Sequence, residues 1–192
     1  MSSRADILER LKSQTANQEQ VALPKFDVEY IGDPVEKFKT TLGELYTEVI
    51  EVNSLTEVAS FVAEKFEGKR IISNVKIDGF PYSDIWQSED PHSLENVEFA
   101  LFEGTLGVAE NGAIWMADEQ MGQRVGPFIC QRLGIIVKKE SIVPLMQQAY
   151  EKLDSGASGF GTFISGPSKT ADIEQSLVVG AHGSRELFVF LT

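Results

Sequence analysis

Apolar residues Val35, Phe38, Leu42 and Leu45 recur with a helical period between Pro34 and Tyr46, and Thr47 to Val52 then alternates like a strand. Ser54 and Glu57 form a capping-box pair opening a helix that runs to about Phe66, with Gly68 as its stop. Arg70 to Ser73 reads as the next strand. Strand, helix and strand at this spacing describe a right-handed crossover, and so a parallel sheet covered by helices. Val97 to Phe102 is a further strand, and Ile135-Ile136-Val137 an apolar strand of the fully buried type. Between them, Gly107 to Ala117 reads as a β-hairpin around Asn111-Gly112 with Glu110 at its tip, and Gly122 to Leu133 as a short helix interrupted by Gly126-Pro127. Ser141 to Leu153 is predicted helical, with Ile142, Leu145, Met146 and Ala149 on one face. Gly156, Gly159 and Gly161 lead into a strand over Thr162 to Ser165, after which Ala171 to Val179 can wind as a helix before the apolar run Glu186 to Leu191.

This order predicts an α/β fold, a mainly parallel sheet flanked by helices, with ligands at the carboxyl ends of the strands and Ser165 to Thr170 at one such end. Ahead of it, Arg4 to Lys12 makes a short amphipathic helix bearing Ile7, Leu8 and Leu11, and Lys12 to Lys25 reads as a linker. The chain thus divides into residues 1–25, an N-terminal helix and linker, and a domain over 26–192. Residues Lys76 to Asn96 follow neither period and hold Phe80, Tyr82 and Trp86. A loop of this length is either a lid or contact surface, or an excursion with its aromatics tucked down.

Composition narrows the function classes. A formal net charge of −12 repels nucleic acid and anionic membrane over most of the surface, so neither is expected as a partner. No apolar stretch reaches the roughly 18 residues of a membrane span, and Met1 to Asp6 lacks the apolar core of a secretory signal, so no membrane insertion and a cytoplasmic address are expected. The single cysteine, Cys130, excludes an internal disulfide and falls short of the four thiolates an iron–sulfur cluster takes. His92 and His182 have no Cys or His neighbours at ligand spacing, so no metal is expected.

The candidate chemistry lies in the turn after the strand at 162–165. A helix starting at Ala171 would gather unpaired amides there, and such a point attracts anions. Lys169 adds positive charge where a helix start ordinarily prefers an acid, a mismatch that a bound phosphate or carboxylate would resolve. Gly166, Ser168, Lys169 and Thr170 are therefore the expected anion grip, with Glu110, Asp172, Glu174 and His182 as candidates for the rest of the pocket. The bland alternative makes Asp172 and Glu174 simple dipole partners and Gly180 and Gly183 a tight turn beside His182. A nucleotide P-loop is rejected: Pro167 stands where its lysine belongs.

Gly107 to Ala113, Ile142-Val143-Pro144, the run Ser165-Gly166-Pro167-Ser168-Lys169-Thr170-Ala171-Asp172-Ile173-Glu174, and Gly180-Ala181-His182-Gly183 with Glu186-Leu187 together closely resemble the LutC/YkgG family of lactate utilization proteins. Ile7 to Leu11 matches as well, although Asn111 and Ala113 stand where that family commonly carries hydroxyl residues. The resemblance implies a LUD domain over 26–192, with a fold like those of ribose phosphate isomerase and the CoA transferases. It also implies the cluster-free subunit of a complex that oxidises L-lactate to pyruvate, with two iron–sulfur subunits as partners and their clusters as the redox cofactors. This chain would bind no cofactor itself, would take a small anionic ligand, and could form a homo-oligomer. The alternative is a free-standing enzyme or binding protein for a small phosphorylated, CoA-linked or folate-like ligand. No catalytic residue follows from either reading.

Overall fold

The computed structural model describes residues 3–15, 30–80, 83–153, 159–171, 177–180 and 182–192. Helix α1 (Ser3–Thr15) is followed by α2 (Pro34–Glu44), β1 (Glu48–Glu51), α3 (Leu55–Lys65), β2 (Ile71–Ser73) and β3 (Phe99–Glu103). Then come β4 (Leu106–Val108), β5 (Ala113–Ala117), the short α4 (Asp118–Met121) and α5 (Gly126–Ile129), β6 (Arg132–Val137), β7 (Ile142–Val143) and α6 (Met146–Lys152). The chain closes with β8 (Gly161–Ile164), β9 (Lys169–Ala171), β10 (Leu177–Val179) and β11 (Glu186–Leu191). No helix among the described residues is long and apolar enough to cross a membrane.

The expected parallel sheet is present, in the order β1-β11-β6-β3-β2, every pair parallel. Its central strands are apolar on both faces. On β11, Phe188 and Phe190 meet Val58, Val62 and Phe66, whereas Leu187, Val189 and Leu191 share the opposite layer with Phe38 and Leu42 of α2. Burial on both sides is what makes these runs read as continuous apolar segments. Gly134 of β6 serves this packing: a Cβ there would stand 2.5 Å from the Phe99 ring, which is itself stacked on Phe66 with centroids 4.5 Å apart.

Asp33 caps α2, accepting from the Val35 amide at 2.8 Å, with Pro34 at the first helical position. The expected capping box of α3 is not made: Ser54 makes no side-chain cap, and the Glu57 carboxylate accepts from the backbone amide of Asn53, one residue ahead of the cap, at 3.1 Å.

Several sequence expectations are corrected. β1 and β2 are parallel but stand at opposite edges, so α3 crosses three intervening strands. The expected helix start at Ser141 is overturned, because Ile142 and Val143 pair with Gly107 and Val108 of β4 and the helix begins only at Met146, beyond Pro144. Gly126-Pro127 does not interrupt a helix; it begins α5, where a proline's missing N–H is harmless, and Leu133 already belongs to β6. The strand at 161–164 joins a second sheet, β7-β4-β5-β8, antiparallel to β5. The helix expected over Ala171 to Val179 is absent as drawn: β9 and β10 pair antiparallel, Lys169 opposite Val179 and Leu177 opposite Ala171. The β-branched pair Val178-Val179 favours this ladder. Lys12 to Thr15, assigned to the linker, extends α1, on which Ile7, Leu8 and Leu11 are exposed.

Within 76–96 the chain makes 3₁₀ turns at Ile85–Ser88 and Pro91–Leu94. Phe80 and Trp86 are buried, the Trp86 Nε1 donating to the Ser73 carbonyl at 3.3 Å, so these two aromatics are tucked down; Tyr82 lies outside the described residues.

Candidate functional site

The chain leaves β8 through Ser165, Gly166, Pro167 and Ser168. Gly166 takes φ 73°, the left-handed region, and a Cβ there would sit 3.1 Å from the Leu45 carbonyl oxygen and 3.2 Å from the Lys169 Nζ. Glycine thus lets the turn and the lysine close against the end of α2. The Ser165 hydroxyl donates to the Asn111 carbonyl at 2.7 Å, which ties this turn to the tip of the β4–β5 hairpin.

A cavity of about 280 Å³ opens beside the turn. Pro127, Leu133, Phe163 and Ile164 provide its apolar walls, and Ser165, Ser168, Lys169, His182 and Ser184 its polar ones. Its place differs from expectation. Leu133 lies near the start of β6 and Ser184 just ahead of β11, so the cavity sits at the amino ends of those parallel strands.

Of the predicted residues, Gly166, Ser168, Lys169 and His182 meet at this cavity. Thr170 is held in β9 opposite Val178, and Asp172 and Glu174 lie outside the described residues. Glu110 is exposed on the hairpin tip, its amide donating to the Pro144 carbonyl at 3.1 Å, and it is not part of the cavity wall. The origin of the positive potential is corrected too. Ala171 ends strand β9, so the expected helix does not start at that residue. The Ser168 amide donates to the Ser184 carbonyl at 2.9 Å, and the Ser168 carbonyl accepts from the Gly180 amide at 2.9 Å. What the wall offers an anion is the Lys169 ammonium, with serine hydroxyls around it.

Lys169 is partly desolvated, and burial alone pulls its pKa below the usual lysine value. Its Nζ stands 5.3 Å from the centre of the Tyr46 ring, a cation–π contact. Tyr46 follows α2 in a reciprocal C-terminal turn: its amide donates to Gly43 O at 3.1 Å, and the Thr47 amide to Leu42 O at 3.0 Å. The residue at this position must take a left-handed backbone, and Tyr46 does so with φ 62°, where a side chain costs roughly 1–2 kcal/mol relative to glycine. Neither Tyr46 nor the buried Ser184 is legible as a site residue in the sequence, since each arrives through long-range packing.

Elsewhere, Cys130 is buried and its thiol is pushed up to about 12 by that burial, which leaves it protonated and unreactive. Among the described residues no group of His, Cys, Asp and Glu could hold a metal ion. A second cavity, of about 320 Å³, lies at the carboxyl ends of the parallel strands. Asn53 and Ser54 follow β1, Val75 follows β2, Glu103 ends β3, Lys138 follows β6 and Thr192 follows β11, all on its wall. Each is a residue at or just past a strand end, a signal the sequence does carry.

Residues 87–192 match the LUD domain family. The chain belongs to that family. Among curated LUD relatives, lactate utilization protein C of Bacillus pumilus (strain SAFR-032) is 26% identical, covering 94% of this chain and 76% of that protein. Lactate utilization protein C of Exiguobacterium sp. (strain ATCC BAA-1283 / AT1b) is 26% identical over 95% of this chain and 93% of its own length. That of Geobacillus thermodenitrificans (strain NG80-2) is 39% identical over 103 residues, half of this chain and 42% of the relative. The crystal structure of a DUF162 family protein from Deinococcus radiodurans superposes with a TM-score of 0.64 at 19% identity, covering 82% of this chain and 95% of that one, a likeness of fold.

Proposed function

We propose that this chain is the cluster-free subunit of an assembly that oxidises L-lactate to pyruvate. The observation that carries the reading is the match to proteins named lactate utilization protein C along 94% and 95% of the chain. Oxidising lactate to pyruvate releases two electrons and two protons. One buried cysteine supplies no cluster to receive those electrons, so the proposal assigns them to iron–sulfur clusters on two partner subunits. The contribution of this chain is then to hold a small carboxylate or phosphate against Lys169, with Gly166 and Ser168 shaping the turn and His182 at the rim. The experiment is affinity recovery of the tagged full chain from its own cells grown on L-lactate. Two iron-containing proteins and lactate-dependent dye reduction in the eluate are expected, with loss of growth on L-lactate when the gene is deleted. Recovery of the chain alone, together with undiminished growth of the deletion strain, overturns the reading.

A second reading, a free-standing enzyme or binding protein for a phosphorylated, CoA-linked or folate-like ligand, is favoured by the cavity at the strand carboxyl ends, the usual ligand position in open α/β sheets. Thermal shifts with sugar phosphates and CoA esters that vanish in Lys138→Ala and persist in Lys169→Ala support this second reading.

A further inference from the structure

Tyr46 is bulky, 70% exposed, and held in a backbone conformation that suits glycine. Core packing does not account for a side chain so open to solvent. What its ring touches is the Lys169 ammonium, which stands on the wall of the 280 Å³ cavity. The Leu45 carbonyl oxygen at the end of α2 and the Lys169 Nζ lie 3.1 and 3.2 Å from the same point beside Gly166, and a helix C-terminus attracts cations. A lysine on a flexible four-carbon stem stays aimed at a cavity only when something holds it there.

We infer that Tyr46 is a positioning residue: its ring holds the Lys169 ammonium at the cavity wall to meet an incoming carboxylate or phosphate, and the left-handed backbone at Tyr46 is retained for that purpose. The inference rests on the anion-binding reading of this corner. Non-glycine residues kept in sparsely populated backbone regions concentrate at ligand clamps, where the strain is part of the device. It is a case of stability yielding to function, because glycine at position 46 would relax the turn and leave the lysine unaimed.

The test uses the full chain and its Tyr46→Gly and Tyr46→Phe variants, titrated calorimetrically with inorganic phosphate, L-lactate and pyruvate. The phenylalanine ring keeps the cation–π contact, so affinity for the probe that binds stays within about twofold. Tyr46→Gly weakens it about three- to fivefold while its unfolding midpoint stays at or above the parent's, since the strain is gone. A ligand-free readout accompanies this: ring-current shifts on the Lys169 ε-protons by NMR, present in the parent and Tyr46→Phe and lost in Tyr46→Gly. Parent-like affinity in Tyr46→Gly, or no ring-current shift in the parent, overturns the role of Tyr46 and leaves the anion site standing. A parent that binds none of the three probes removes the anion site itself, and this inference with it.

Discussion

The Ser165 hydroxyl donates to the Asn111 carbonyl across 2.7 Å, joining two turns that are 54 residues apart in the chain. It fixes the exit of β8 to the hairpin tip and so sets one wall of the cavity. Ser165→Ala should lower stability by about 0.5–1.5 kcal/mol, at the low end because the bond is exposed. Urea denaturation measures it; a loss above that range would mean the hydroxyl has a second partner.

Gly134→Ala should be destabilising by about 1–3 kcal/mol, because the new Cβ meets the Phe99 ring at 2.5 Å and Phe66 blocks its retreat. Phe99→Leu in the same chain should recover part of the loss, a coupling that a double-mutant cycle reads. Strict additivity of the two changes would refute this account of the packing.

Glu51 accepts from Lys39 and from Lys139, each at 2.6 Å, and the hydrogen bonds to Lys139 and then Lys39 hold its carboxyl down to about 2. A depressed carboxylate pKa stabilises the fold above its unfolded value of 4.5, and that contribution drains away as pH falls from there towards 2. Glu51→Gln should therefore flatten the acid limb of the stability–pH curve in this window, and added salt should mimic it, because the charges are exposed. An unchanged acid limb in the variant would show the pairs to be inert.

Lys169 gives a slope of the same sign at high pH. Its folded pKa lies below the ordinary 10.5, so in the interval between the two the unfolded chain binds more protons and stability rises with pH. Lys169→Gln should remove that rise, which chemical denaturation at stepped alkaline pH would detect.

Cys130 should resist alkylation at pH 8 in the native protein and react at a rate set by unfolding, since its buried thiol sits at about 12. Rapid native labelling, followed by mass spectrometry, would contradict that burial.

Sequence pattern is readable where one local force dominates. The Glu186–Leu191 run is apolar at consecutive positions because both faces of β11 are covered, and Asn111-Gly112 marks a hairpin because few other residues accept that turn. It misleads where distant pairing decides. Ile142 sits in a helical period yet is taken by the edge of β4, and residues 177–179 are drawn into a ladder with 169–171. Position 46 inverts its own rule, since a tyrosine stands where glycine is the signal. Of the site, Gly166, Ser168, Lys169 and His182 were legible as one corner; the place of that corner in the sheet was not, because β8 belongs to the second sheet.

The edge strand β1 has the last strand, β11, as its parallel neighbour. During synthesis, Val49 and Ile50 leave the ribosome well over a hundred residues before Val189 and Phe190, the partners they require. The residues around β1 must therefore wait, unpaired along this edge, until β11 has been made, and closure of the sheet is rationed by the slow search for a far contact.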